Sequence, residues 1–185
     1  MKKTGFTLVE LLIVIGILAI LTAAVVVILN PAELLRQARD SQRFSDLDSV
    51  KNAISLYLVD VTDPSVGSSC YMYTGATTTT TNCGGLFTAS YSATGSTTRV
   101  TDGTGWIPVN FDAISGGSPL SVLPIDPSHG TTYFYAYAGG STALTFEINA
   151  FLESTKYING GGSDKESTDG GDEAQAYEAG TDLTL

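Results

Sequence analysis

One carboxylate stands inside the most hydrophobic stretch of the chain. Glu10 is the only ionisable residue of residues 5–29, GFTLVELLIVIGILAILTAAVVVIL. A carboxylate near a helix start in hydrocarbon costs about 2.5–3.5 kcal/mol on insertion scales unless it lies at the interface, is protonated or is paired. Glu10 therefore asks for a compensating partner. Cys70 and Cys83 are the only cysteines, and His129 is the only histidine. No CxxC is present, so zinc has little support. His129 has no serine or cysteine constellation around it and reads as a turn residue rather than a catalytic base. Residues 160–182 carry seven acids (Asp164, Glu166, Asp169, Asp172, Glu173, Glu178 and Asp182) against Lys165, on glycine-rich backbone. Such a segment is either a solvated acidic tail or a source of the six to eight oxygens that a Ca²⁺ ion takes. Its spacing is not that of an EF-hand. No set of groups here makes a catalytic site, and the chain does not read as an enzyme.

The elements that must position these groups begin with the apolar run. At about 1.5 Å per residue, residues 6–29 make a helix of roughly 36 Å, enough for the ~30 Å hydrocarbon layer. Lys2 and Lys3 precede it, which keeps the N-terminus in the cytoplasm and sends the rest of the chain outward. A removable secretory signal would have a shorter core and a small-residue cleavage site, whereas this run leads straight into NPAELLRQARD. A plain permanent anchor explains the hydrophobicity but not Glu10.

Asn30-Pro31-Ala32-Glu33 has two readings: a helix restarting with Asn30 as cap and Pro31 at its first position, or a proline kink in one continuous helix. Beyond it Leu34, Leu35 and Ala38, then Leu47, Val50, Ile54, Tyr57, Leu58 and Val61, recur three and four apart, as in an amphipathic helix. One long helix from about residue 6 to about residue 60 is expected, its outer half packed on a sheet. The charged face (Arg36, Arg39, Asp40, Arg43, Asp46, Asp48 and Lys51) reads as a solvated or subunit-facing surface.

Asp63-Pro64 ends the helix. The stop runs to Gly67, and residues 68–105 beyond it are rich in Thr, Ser and Gly, including the threonine run at 77–81, and read as an exposed, variable loop. Cys70 and Cys83 bracket part of it. In an extracytoplasmic compartment a disulfide between them is favoured over two free thiols, with a nominal stabilisation of ~3 kcal/mol for a loop of this size. From Trp106 an extended segment, a proline-bounded turn and a hairpin follow, the hairpin at residues 131–138 and 143–151 around Gly139-Gly140-Ser141. Tyr133, Tyr135 and Tyr137 mark one face of its first strand. On the second, Leu144, Phe146, Ile148 and Ala150 form one face, and Thr145, Glu147 and Asn149 the other, which is expected to meet solvent.

Charge divides the 185 residues unevenly. Residues 1–51 hold six bases against five acids, and residues 52–185 hold three bases against fourteen acids. An acidic outer part repels nucleic acid, so no nucleic-acid partner is expected along it. With one long anchor, the chain has room for a single head domain of modest core.

Met1-Lys2-Lys3-Thr4-Gly5 followed by Phe6-Thr7-Leu8-Val9-Glu10 and an apolar helix resembles the leader and N-terminus of type IV pilins and type II secretion pseudopilins. The resemblance implies cleavage after Gly5 by prepilin peptidase, N-methylation of Phe6, and a docking role for Glu10 in a filament of identical subunits. It implies an α+β, type IV pilin-like fold: a long N-terminal helix packed on a small antiparallel β-sheet. The divisions are a leader at 1–5, a membrane and filament-core helix at 6–29, an amphipathic half at 30–62, and an extracytoplasmic head at 63–185. The precursor would sit in the inner membrane, with the assembly machinery as its partner there, and the assembled form in a surface or extracytoplasmic filament.

Leu123-Pro-Ile-Asp126-Pro-Ser-His129-Gly130, with Tyr133 and Tyr135, resembles the LPxDPWGxxYxY stretch of major pseudopilins but lacks its tryptophan and displaces the glycine. The acidic tail is similar to their C-terminal loop, where calcium is bound, which makes Asp164, Asp169 and Asp172 the expected ligands of a possible Ca²⁺. The imperfect tryptophan motif and large loop favour a pilus subunit over a major pseudopilin. A minor or tip subunit acting as a surface-binding adhesin is the remaining reading.

Overall fold

The computed structural model describes residues 5–73, 82–87, 91–140 and 143–185. The lysines at 2 and 3, the threonine run at 77–81 and Ser141 of the expected hairpin turn lie outside the described residues.

Helix α1 (Leu8–Leu29) is followed at once by α2 (Pro31–Asp60). The expected single helix is interrupted at Asn30, which has φ 39° and ψ 73° and makes no side-chain cap. Proline disfavours the helical conformation in the residue before it and brings no N–H, while asparagine tolerates the left-handed region. Pro31 thus sits at the first position of a restarted helix, the place that suits its fixed φ.

Five strands form one sheet in the order β2-β1-β3-β4-β5. They are β1 (Cys70–Tyr73), β2 (Ala93–Ser96), β3 (Tyr135–Gly140), β4 (Thr145–Ala150) and β5 (Tyr177–Gly180). The sheet is mixed rather than purely antiparallel, because β1 pairs in parallel with β2; the other pairs are antiparallel. The two hairpin strands pair as alternation predicts, with Tyr137 opposite Ile148, but the first begins only at Tyr135, and Gly139 and Gly140 of the expected turn are paired within it, opposite Phe146 and Thr145. The segment from Trp106 forms no strand; it makes an isolated bridge between Asp102 and Asn110 and a 3₁₀ turn at Phe111–Ala113.

The main core lies between α2 and one face of the sheet. Leu47, Val50, Ala53, Ile54 and Tyr57 of α2 pack with Tyr135, Tyr137, Phe146, Ile148 and Ala179 of the sheet, sealed by Trp106, Phe111 and Leu123. The tyrosines keep their hydroxyls bonded: Tyr135 to Asp46 at 2.9 Å and Tyr137 to the Val66 carbonyl at 2.7 Å. Gly139 is required there, since a Cβ would overlap the Val66 carbonyl. Neither the far face of the sheet nor residues 70–73 are exposed as expected. A second apolar cluster of Cys70, Met72, Cys83, Leu86, Phe87, Phe134 and Ala136 covers that face. It buries Glu147 and Asn149 completely. Cys70 and Cys83 form the disulfide, their Cα atoms 6.0 Å apart, and it draws the 82–87 segment over the sheet.

The charged face of α2 is only partly a solvated surface. Asp40 and Arg43 are fully buried. Arg43 donates Nε and Nη2 to Asp126 at 2.7 and 2.8 Å, Nη1 to Asp40 at 2.7 Å, and Nη2 also to Glu153 at 2.6 Å. Its guanidinium lies 5.1 Å from the Tyr133 ring centroid. Asp40 also accepts the backbone N–H groups of Glu153 and Ser154. Arg39 donates to Glu153 as well. The planar fork of arginine suits such multidentate pairing. Burial alone would lower the Arg43 pKa, but the hydrogen bonds it donates to Asp126, Glu153 and Asp40 outweigh it and hold it above its ordinary value. Asp126 belongs to the proline-bounded turn, and Glu153 follows β4. One arginine therefore ties α2 to two distant parts of the head.

Arg43→Ala removes the cationic partner of buried Asp40 and Asp126 and one of the two at Glu153, and should cost about 3–5 kcal/mol. Arg36→Ala removes only a 3.7 Å, half-exposed contact with Glu33 and should cost under about 0.5 kcal/mol. Denaturant titration of the protein in detergent, followed by fluorescence of the single buried Trp106, checks both. The Arg39 hydrogen bond, with Ser128 and Arg43 and against the cost of burial, holds Glu153 at about 2, below the ordinary glutamate value. Its contribution is present above about pH 4.5 and is lost as pH falls toward 2. Glu153→Gln should flatten that acid limb of the stability profile.

Candidate functional site

The residues at the head of α1 set the site. Gly5, Phe6 and Thr7 are non-helical and exposed, Phe6 to 82 %. Thr7 is extended, with φ −83° and ψ 152°, and caps the helix that begins at Leu8. The Gly5–Phe6 bond therefore lies on open backbone before the first helical residue. A Cβ at Gly5 would meet nothing within 4 Å.

Glu10 finds its partner within its own helix start. The Thr7 hydroxyl and the Thr7 backbone N–H both donate to Glu10 Oε2, at 2.7 and 2.9 Å. The Glu10 N–H donates back to Thr7 Oγ1 at 3.2 Å. This is a capping box, which satisfies donors that every helix start leaves open and sets a carboxylate against the positive end of the helix dipole. Thr7 is thus a site residue beside the expected Gly5, Phe6 and Glu10, and the Thr-x-x-Glu spacing ahead of an apolar run is its sequence signal.

Along the rest of α1 the apolar side chains of residues 11–26, 28 and 29 are exposed, from Val14 at 45 % to Ile20 at 72 % and Ile28 at 80 %. Residues Leu8–Val26 have a mean hydropathy of 2.8, and the helix is long and apolar enough to cross a membrane. Thr22, the hydroxyl within this span, returns its O–H to the Leu18 carbonyl at 2.8 Å.

The three aspartates expected to hold calcium are not brought together. Asp164 receives the N–H groups of Gly160 and Ser167 and the Ser167 hydroxyl, which hold it below its ordinary pKa, the Ser167 hydroxyl most of all. Asp169 accepts the N–H groups of Gly171 and Glu178; burial raises its pKa despite them. Their oxygens thus brace the backbone of the acidic segment. Among the described residues no group of three or more His, Cys, Asp or Glu side chains is placed to hold a metal ion. The segment is folded rather than a loose tail and includes β5. His129 closes the turn at Asp126, to whose carbonyl its N–H donates at 3.0 Å, and its ring meets Tyr73 edge-on at 5.0 Å.

Residues 1–26 match the family model described as the prokaryotic N-terminal methylation motif. The match covers residues 1–5, the capped helix start and most of α1. No curated protein and no solved structure gives a significant match to the chain. The motif implies processing by a prepilin peptidase and assembly into pilus-type filaments, and the helix-plus-sheet architecture is pilin-like.

Thr7→Val removes the hydroxyl of the box and should weaken the helix start by about 0.5–2 kcal/mol, while Thr7→Ser should preserve it. Amide exchange at residues 8–11 in micelles should quicken for the valine variant only.

Proposed function

We propose that this chain is a structural subunit of a type IV pilus or closely related filament. It is made as a membrane-held precursor, cut after Gly5, methylated on Phe6, and assembled through α1. The observation that carries this reading is the capped Glu10 at the head of an apolar helix that its own head leaves uncovered. Burying that helix against copies of itself removes the apolar exposure, and the cut gives each subunit a cationic amine one helical turn from Glu10. A neighbour shifted by about a turn presents its amine to Glu10, so each subunit supplies half of a pair. Such a pair selects register more than it adds stability, because an unmatched buried charge is costly.

The major-pseudopilin reading rests on a different observation. Asp126, in the proline-bounded segment that resembles those proteins, receives Arg43 Nε and Nη2. That makes the segment structural, and it serves a pilus or a secretion filament equally well.

Mass analysis of sheared filaments tests the proposal. The main subunit should begin at residue 6 and carry one methyl group on its amine. A subunit that keeps residues 1–5, or filaments that lack this chain, would sink it. Glu10→Ala should still be cleaved and methylated yet assemble poorly, the unmatched amine costing about 3–5 kcal/mol at each contact; undiminished filament yield would remove the docking role.

A further inference from the structure

The sheet face turned away from α2 holds a polar group that the assembly reading does not use. On antiparallel β4 and β5, Asn149 stands opposite Glu178 and Glu147 opposite Gly180. Glu147, Asn149 and Glu178 therefore project from one face. All three are buried, Glu178 leaving only 2 % exposed. The disulfide-drawn segment covers them, and Asn149 Nδ2 donates to the Leu86 carbonyl at 2.8 Å.

The two carboxyls are supplied with donors unequally. Glu147 Oε1 accepts Asn149 Nδ2 at 2.7 Å, and Oε2 accepts the Leu185 N–H at 3.0 Å. Glu178 Oε2 accepts the Glu173 N–H at 3.0 Å. Among the described residues, none donates to the buried Glu178 Oε1. Across β4 and β5, Glu147 is the diagonal neighbour of Glu178 on the same face, near enough for two long side chains to meet, and it is itself an acceptor when ionised. Two facing acceptors in a buried place need a proton between them, as in any close carboxyl pair. Gly171 backs so closely onto Glu178 that a Cβ would overlap the carboxyl, which leaves no room on that side for a hydrated cation.

The surrounding charges favour the same state. Asp169 takes the Glu178 N–H at 2.7 Å, and its field and that of Asp172 bear on the pair. Glu173 contributes its backbone N–H, Asp182 follows β5, and Tyr91 approaches from the segment before β2. Lys51 of α2 and Lys165 line a pocket that also reaches β5. Among the described residues, neither lysine nor any other base lies within ion-pair distance of the two carboxyls.

We infer that Glu147 and Glu178 are a one-proton carboxyl pair that clasps β5 to β4, and that loss of the proton at alkaline pH releases the C-terminal strand. Burial, the hydrogen bond to Glu147 and the Glu147 charge push Glu178 up to about 9. Burial also raises Glu147, against the Asn149 hydrogen bond. An unfolded glutamate ionises near 4.3, so between about pH 4.5 and 9 the folded chain holds a proton that the unfolded chain lacks. The contribution is complete below about 4.5 and declines as pH rises through that window, by at most about tenfold in the unfolding constant per pH unit. Release of β5 would leave β4 as an open sheet edge able to pair with another strand.

The test uses the whole protein in detergent micelles with ¹³C-carboxyl-labelled glutamate. Of the seven glutamates, one side chain should titrate above pH 7, and E178Q should abolish that titration. The E178Q amide donates permanently, so exchange of the 176–180 amides, corrected for intrinsic pH dependence, should rise at least about tenfold from pH 7 to 9.5 in the natural protein and stay level in E178Q. If E178Q does not fold, the titration of the natural protein decides alone. Every glutamate titrating below about pH 5.5, or equal exchange profiles in the two proteins, would overturn the inference. So would Ca²⁺ at pH 7.5 releasing a proton and protecting β5, which would make the cluster a cation site.

Discussion

An apolar helix that its own fold does not cover is the constraint on which the rest of the molecule depends. The head buries one face of α2 from Asp40 onward, leaving Leu34 and Leu35 of the expected packed stripe exposed, and leaves α1 bare. Water is a poor solvent for such a surface, so α1 belongs either in lipid or against other apolar helices. The capping box lets one carboxylate survive the first of these settings. Thr7 supplies two donors to Glu10, so the carboxylate is hydrogen-bonded at the helix start, and in the proposed filament it would meet a neighbour's amine instead.

What holds the head to α2 is of a different kind. The apolar contacts of Leu47, Val50, Ile54 and Tyr57 provide area, while Arg43 provides register. It reaches Asp126, 83 residues away, and Glu153, 110 residues away, and Asp40 on the same helix. A buried ion network of this sort adds little net stability over apolar packing of equal volume. Its geometry, however, admits one position of the turn and of the β4 exit against the helix. The break at Asn30 then separates a helix that must match a filament or a bilayer from one that must match a head.

The sequence shows those features whose signal is local. The apolar run, the three-and-four spacing of Leu47, Val50, Ile54 and Tyr57, and the alternation of Tyr135 to Tyr137 and Phe146 to Ala150 each follow from one element's own periodicity. Asp40 and Arg43 do not, because a charged stripe looks the same whether solvent or distant carboxylates face it. Alternation places Glu147 and Asn149 on the face opposite Phe146 and Ile148, where they stand, but that face is covered by a segment fastened through Cys70 and Cys83. The cover is long-range information that alternation lacks. Four-residue β5 is hidden among glycines and acids, where composition outweighs its short pattern. Thr7 is the reverse case: the capping-box spacing stands openly in Thr7-Leu8-Val9-Glu10.

The central claim is that α1 exchanges lipid for copies of itself and that Glu10 exchanges Thr7 for a neighbour's amine. A helical reconstruction of assembled filaments by cryo-electron microscopy tests it most directly. The account predicts α1 packed at the filament centre, with the Glu10 carboxylate within hydrogen-bond distance of the residue 6 amine of an adjacent subunit. Filaments held together through the heads, with α1 peripheral or Glu10 facing away from every neighbouring N-terminus, would contradict it.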